Sequence, residues 1–446
     1  MFQLFRGAAL AIVAVPILLA SFGADEIVET WPDGTTRRVF SRDAEGRYDG
    51  PYLEYWKNGE LKIRTRYSAG DLNGRYETWW ENGKRRLDAR HADGLLDGRY
   101  NEFDESGERR ITGEYDDGLK DGGFEIRRDG KVASLQEWSD GLLTKLGDLD
   151  RPVPRTRAQI AAELHAIANL PIEPELESEF EGAIAPELAA ERIAALRRLM
   201  EYRALSGLVY ADMQLDAKFN WHCSLAAKLL EKIGRLDHTP KNPGLPADEY
   251  RAAYIGTSSS NLFSGSDLVG SVDAYMDDSD PSNIDRVGHR RWCLNPPMKK
   301  TGFGRREEMW SAMWSFDESR GKSDWTVVAY PAPGYYPASH IVDHAAWSVR
   351  LRDLPFEEGR TDGLVVEVYA LDEDYVRGAP MRIDHTSIYG GQIIFRAQDM
   401  ICMPGRAYEV RIGKEGKRTP QILLHYLVEF VDLTDDLATL RGEKPE

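Results

Sequence analysis

His238 stands in Asp237-His238-Thr239-Pro240, and a run of hydroxyls, Ser258, Ser259 and Ser260, follows it. An imidazole beside a hydroxyl is the pair that nucleophilic acyl transfer needs, the ring taking the proton as the oxygen attacks. No Gly-x-Ser-x-Gly turn surrounds these serines to present one of them, so they read as polar loop residues. His289 is followed by Arg290, Arg291 and Trp292, and it is expected to fix the start of a strand by hydrogen bonding rather than to transfer a proton. Asp277, Asp278, Asp280, Asn283 and Asp285 form an oxygen-rich cluster that could hold calcium. The glycine and terminal Glu of the EF-hand loop are absent, so the cluster reads as an acidic segment ending a helix. Cys223, Cys293 and Cys402 are too few for a disulfide framework and too widely spaced for a zinc knuckle. Whether Cys223 and Cys293 pair is left open, since geometry decides it.

The elements that must position these residues are legible in part. Pro186 to Leu205 carries Leu188, Ile193, Leu196, Leu199 and Met200 at helical spacing, with Pro186 suited to the first turn and Gly207 to the stop. A second helix is predicted over residues 216–233, ending at Gly234, and a third over 267–276. The segment between the last two is rich in Gly, Pro and Ser and reads as loop. Beyond Pro331, five β-rich stretches separated by turn signals predict a small β-sandwich: 346–351, 364–369, 392–395, 408–412 and 422–430. Pro404-Gly405-Arg406-Ala407-Tyr408 looks like a tyrosine corner, in which the phenol pins a loop between sheets. The segment from Pro331 to Pro337 reads as a stiff connector.

The chain has 446 residues, 42% of them hydrophobic, and 57 Lys+Arg against 74 Asp+Glu give a net charge of −17. At roughly 100 to 200 residues per domain this is a multi-domain globular protein. Its acidity opposes neutralisation of phosphates, so nucleic acid is not an expected partner. Arg6, the apolar run from Ala8 to Ala20 and the small residues Ser21 and Gly23 read as a secretory signal peptide, too short for a permanent span. A secreted or periplasmic location is expected.

Residues 30–143 repeat. Gly50, Gly74, Gly98 and Gly122 recur at an interval of 24 residues, each followed two positions on by Tyr52, Tyr76, Tyr100 or Phe124. Within each unit Asn58-Gly59, Asn82-Gly83, Ser106-Gly107 or Asp129-Gly130 signals a hairpin turn with both residues at positive φ. A second turn follows at Ala69-Gly70, Asp93-Gly94, Asp117-Gly118 and Asp140-Gly141. Each unit reads as one hairpin, stable only when stacked copies share an aromatic layer. Lys84-Arg85-Arg86 and Arg109-Arg110 are expected on a solvated, charged face. The pattern resembles the MORN-variant repeat family, which implies an interaction scaffold.

The centre resembles the CAP superfamily of cysteine-rich secretory, antigen 5 and pathogenesis-related proteins. The ordered features are Leu196-Arg197 with Gly207-Leu208, Ala226-Ala227 before His238-Thr239-Pro240, Asn261-Leu262, Val272 to Met276, His289-Arg290, Leu294-Asn295-Pro296, Gly302-Phe303-Gly304 and Trp310 to Trp314, over residues 187–331. The resemblance implies an α-β-α sandwich and a cleft that in many members holds two His and two Glu around a metal. Here His238 matches the first His, Ser260 replaces a Glu, Met309 replaces the second His, and Asp277 or Asp278 corresponds to the other Glu. Ser and Met are poor zinc donors, so no metal and no cofactor is expected.

The fold expected is multi-domain α+β. It comprises a signal peptide (1–24), a MORN-variant β-hairpin sheet (25–145), a linker with a helical lead-in (146–186), a CAP-like α-β-α sandwich (187–331) and an immunoglobulin- or fibronectin-like β-sandwich (332–440). The leading functional expectation is an exported, non-enzymatic binding or scaffold protein for a protein, lipid or glycan of the cell envelope, with His238, Asn261 and His289 contacting ligand. The alternatives are a hydrolase, peptidase or nuclease using His238, Asp278 and Ser260, and a lipid- or sterol-binding protein.

Overall fold

The structure, a computed structural model, describes residues 26–306, 310–317 and 323–443. The proposed signal peptide and Met309 lie outside the described residues. The chain is mixed α+β and divides into two compact units, one up to Leu142 and one from Leu143.

The first unit is an antiparallel ladder in which consecutive strands are hydrogen-bonded neighbours, from Ile27–Thr30 to Lys131–Ser139. Each 24-residue period adds two strands, such as Tyr48–Tyr55 and Leu61–Ser68. The repeat aromatics face small partners: Tyr52 lies opposite Thr65, Tyr76 opposite Ala89, and Tyr100 opposite Gly113. A small residue there leaves room for a ring from the next strand. At Gly113 the Phe124 ring takes that room, and a Cβ would meet it at 2.3 Å. The copies are also tied by side chains one period apart, Trp56 Nε1 donating to Trp79 O at 3.1 Å and Asn58 Nδ2 to Glu81 O at 2.8 Å.

The two turn sets differ from one another. Ala69-Gly70, Asp93-Gly94, Asp117-Gly118 and Asp140-Gly141 have both residues at positive φ, the two-residue hairpin turn. Of the Asn-Gly set, Gly59 and Gly83 are left-handed but Asn58 and Asn82 are not. Gly59 N bonds Trp56 O and Trp56 N bonds Glu60 O, with a register shift at Glu54/Tyr55. These two are three-residue loops closed by a glycine bulge, which corrects the turn type expected there and frees the Asn amide to tie the next copy, whereas Asp129-Gly130 has both residues at positive φ as expected.

In the second unit the segment expected as a linker with a helical lead-in contributes a helix to the core. Helix Arg157–Ala168 starts with a capping box between Thr156 and Gln159, and its Ile160, Leu164 and Ile167 are buried in the main cluster. Helices Pro186–Leu205, Ala217–Ile233 and Leu268–Asp277 follow, the last two capped by Asp216 and Asp267. Helix Ala247–Ser258 lies where loop was expected. It has few large apolar residues because Gly256 lets it approach His222, where a Cβ would meet the carbonyl at 2.1 Å.

A three-stranded antiparallel sheet runs Ser260–Ser264, Trp310–Trp314, Phe303–Arg306. Its faces alternate. Leu262, Ala312 and Trp314 pack with Cys223, Ala226 and Leu230 of helix Ala217–Ile233, while Phe303 and Met313 join the cluster that holds Leu199, Leu268 and Met276. Gly302 and Gly304 flank Phe303 because the backbone of that helix passes directly over them; a Cβ on Gly304 would meet Ser224 N at 2.1 Å.

The C-terminal part holds a four-stranded sheet ordered Val327–Tyr330, Trp347–Leu351, Gln392–Ala397, Ile383–Tyr389, and a five-stranded sheet ordered Gly334–Pro337, Gln421–Val431, Ala407–Lys414, Leu364–Leu371, Arg377–Pro380. They pack through Trp347, whose ring meets Tyr408 and Phe430 at about 6 Å. Two expectations are corrected. Val327–Tyr330, inside the span expected to be the CAP-like sandwich (187–331), pairs with Trp347–Leu351 beyond it, and the stiff connector is a strand, Gly334–Pro337, parallel to Gln421–Val431. Tyr408 Oη donates to Ile401 O at 2.9 Å and accepts from Ile401 N at 3.1 Å, the bonding expected of a tyrosine corner.

Candidate functional site

A cleft of about 460 Å³ in the second unit is lined by His238, Ser260, Asn261, His289, Arg291 and Trp292, among others. Four of the five residues singled out from sequence thus share one cavity. The fifth, Asp278, lies behind it.

Asp278 follows helix Leu268–Asp277 in a left-handed conformation and is 4% exposed. Its carboxylate accepts from His289 N and His289 Nδ1, each at 2.8 Å. The first bond caps the short helix Gly288–Cys293, so His289 sits in a helical turn and not at the start of a strand. The second bond engages Nδ1 and leaves Nε2 outside it. His238 is set the same way by another element: its Nδ1 donates to Thr257 O at 2.8 Å, at the end of helix Ala247–Ser258. The cleft therefore carries two imidazoles, each with Nδ1 tied and Nε2 available. Asp278 pairs with His289 and not with His238, which separates the expected acid and base.

Ser260 and Asn261 are neighbours on a strand and face opposite ways. Ser260 Oγ lies 3.5 Å from Cys223 Sγ, while Asn261 Nδ2 donates to His289 O at 3.0 Å and contacts Cys293 Sγ at 3.6 Å. No bond joins Ser260 to an imidazole among the described residues, so the hydroxyl is not set as a nucleophile. Asn261, 2% exposed, holds the His289 turn in place. The same alternation puts Cys223 and Cys293 on opposite faces of the sheet, and both are free thiols.

The remaining wall is aromatic and cationic. Arg291 lies over the Trp292 ring at 4.8 Å and the Tyr389 ring at 5.7 Å, and Trp292 meets Phe316 edge-on at 4.6 Å. Gly390 makes room for it, since a Cβ there would meet Arg291 Cδ at 2.7 Å. The buried Nε of Arg291 has no hydrogen-bond partner among the described residues. Arg286 also lines the cleft. This cationic wall was in view only as a flank of His289; it takes the fold to bring Tyr389 and Phe316 to it.

Buried arginines hold the frame. Arg290, fully buried, donates to Met276 O at 2.6 Å and Ala346 O at 2.7 Å, and its guanidinium lies 4.3 Å from the Tyr330 ring centre. Arg203 donates to the carbonyls of Cys293, Asn295 and Val209, and burial pushes its pKa down to about 10. Neither Arg203 nor its role is signalled by sequence, because Arg in a helix normally marks the wet face.

The acidic residues read as a possible calcium loop diverge. Asp280 accepts from Ser282 N and Asn283 Nδ2, Asp285 lies 3.6 Å from His385 Nε2, and Asp278 is committed to His289. Among the described residues no three His, Cys, Asp or Glu side chains converge to hold a metal. Nor is any helix among them long and apolar enough to cross a membrane.

No family model matches the chain, and no curated protein matches it.

Proposed function

We propose that this chain is an exported binding protein whose centre is a CAP-like domain with a degenerate metal tetrad, and that its cleft takes a small organic anion bearing a flat or apolar group. The observation that carries the reading is Arg291, stacked between Trp292 and Tyr389 with its Nε unpartnered, beside two imidazoles whose Nε2 atoms are open. A guanidinium in that setting pairs with a carboxylate or phosphate, and the rings cover the rest of the ligand. The charged lining suits such a ligand better than a sterol. The CAP-like reading is supported by the order of its features and by the Gly-Phe-Gly strand packed under a helix; envelope location rests on the N-terminal residues.

A second reading, hydrolysis with water as nucleophile, is favoured by one observation: the buried Asp278 carboxylate orients His289 as a base. Thermal-shift titration with aromatic carboxylates and phosphates separates the two. Stabilisation lost in Arg291→Ala and kept in Arg360→Ala supports binding. No stabilisation by any of these anions counts against it. Ester or peptide turnover abolished by Asp278→Asn would establish the second reading instead.

A further inference from the structure

The hairpin ladder holds a feature independent of the cleft. An irregular row of arginines, one from each of four neighbouring strands, crosses the ladder: Arg66, Arg75, Arg90 and Arg99. Arg75 lies directly opposite Arg90, while the register shifts between Ala89 and His91 on the side of the Arg99 strand, and Arg66 O accepts from Asn73 N rather than sitting opposite Arg75. At about 4.8 Å between strands the row extends about 14 Å.

Like charges placed directly across a sheet repel. Arg75 is paired with Asp88 at 2.8 Å and Glu77 at 3.1 Å, and Arg99 faces Glu114 on the next strand. Arg66, Arg90 and Arg99 are exposed, and their side chains make no hydrogen bond, ion pair or ring contact among the described residues. The basic runs prominent in the sequence are, by contrast, occupied. Arg85 pairs with Glu77 and Asp88, Arg86 lies on Trp80, Arg109 on Phe103, and Arg110 pairs with Glu102. A groove of about 1040 Å³ is lined by Arg75, Arg90, Arg99 and Arg109 with the carboxylates Asp88 and Glu114 among them, by Asn101 and Thr112, and by glycines.

We propose that this groove binds a linear acidic polysaccharide, its carboxylates meeting Arg90 and Arg99 while Asn101 and Thr112 bond its hydroxyls. The chemistry is selective in two ways. A chain of net charge −17 is repelled by a broad anionic surface, so a single extended polymer that touches only the cationic row is favoured over a bilayer or a duplex. Cationic side chains from neighbouring strands along one groove fit an extended polymer that carries repeated charges.

The test uses the full-length protein and polygalacturonate, with neutral dextran as control, by isothermal calorimetry or biolayer interferometry. Binding to polygalacturonate that weakens with salt, and that falls about tenfold or more in the double variant Arg90→Ser/Arg99→Ser, is expected. Arg360→Ser should bind as the parent does. Because the double variant removes facing like charges, its melting temperature should hold or rise, which separates lost binding from lost folding. Equal affinity in parent and double variant, or association with phosphatidylglycerol vesicles but not with polygalacturonate, would overturn the proposal.

Discussion

Ser260 and Asn261 differ by one position and belong to different environments, because a strand sends successive side chains to opposite faces. That single alternation decides the fate of the cysteines. Cys223 contacts Ser260 on one face and Cys293 contacts Asn261 on the other, so no bridge can form between them without breaking the sheet. Burial pushes the Cys223 and Cys402 thiols up to about 12 and Cys293 higher still, and the thiolate is the reactive form. The native protein should therefore show no fast reaction with Ellman's reagent, and three thiols after denaturation. A rapid native equivalent, or fewer than three after unfolding without reductant, would contradict this burial. The same scale limits what could be read from sequence at the site. His238 and His289 stand out as residue types, but the partner that sets each ring, Thr257 O or Asp278, is far away in the chain and visible only in the fold.

At the scale of elements, the ladder depends on a pairing of large with small across neighbouring strands. Gly113 and Gly123 lie on adjacent strands and have ordinary backbone angles, yet their surroundings differ. A Cβ on Gly113 would overlap the buried Phe124 ring, whereas one on Gly123 meets nothing within 4 Å. Gly113→Ala should destabilise by about 1–3 kcal/mol through overpacking. Gly123→Ala should be neutral or stabilising by up to about 1 kcal/mol, through lost freedom of the unfolded chain. Urea denaturation of the two variants checks this, and equal effects would show that the aromatic layer does not set the spacing. The repeat itself was legible, since its period, its glycines and its aromatics recur in the chain. The turn type was legible at Asp129-Gly130 but not at the Asn-Gly pairs. Asn58 precedes the left-handed glycine instead of sharing its conformation, because its amide is held by Glu81 O of the next copy.

For the whole molecule, pH provides a test of the second unit's core. His222, His340 and His385 are all shifted below the ordinary histidine value by burial. Each binds fewer protons when folded, so the stability it contributes is complete above about pH 6.5 and is lost as pH falls below it. Glu201 adds to the same slope: burial raises it, but its bonds to His340 and Arg198 outweigh that and hold it low. The melting temperature should fall as pH drops below about 6.5, and His340→Gln should flatten the fall. A melting temperature constant or rising over that range would contradict the burial of these rings.

What the amino-acid order determined by itself is whatever depends on near neighbours. The Pro186–Leu205 helix, the caps at Asp216, Gly234 and Asp267, the hairpin period and five C-terminal strands all follow from local spacing and turn chemistry. Tertiary structure alone decided which partners met. It assigned Val327–Tyr330 to the C-terminal sheet, packed the helix at 157–168 into the core, gave Asp278 to His289, and set Arg90 opposite Arg75. The physical reason is the same in each case. Burial and charge are properties of a neighbourhood assembled from distant segments, and a side chain such as Arg203 becomes a core residue only when the carbonyls that satisfy it are folded around it.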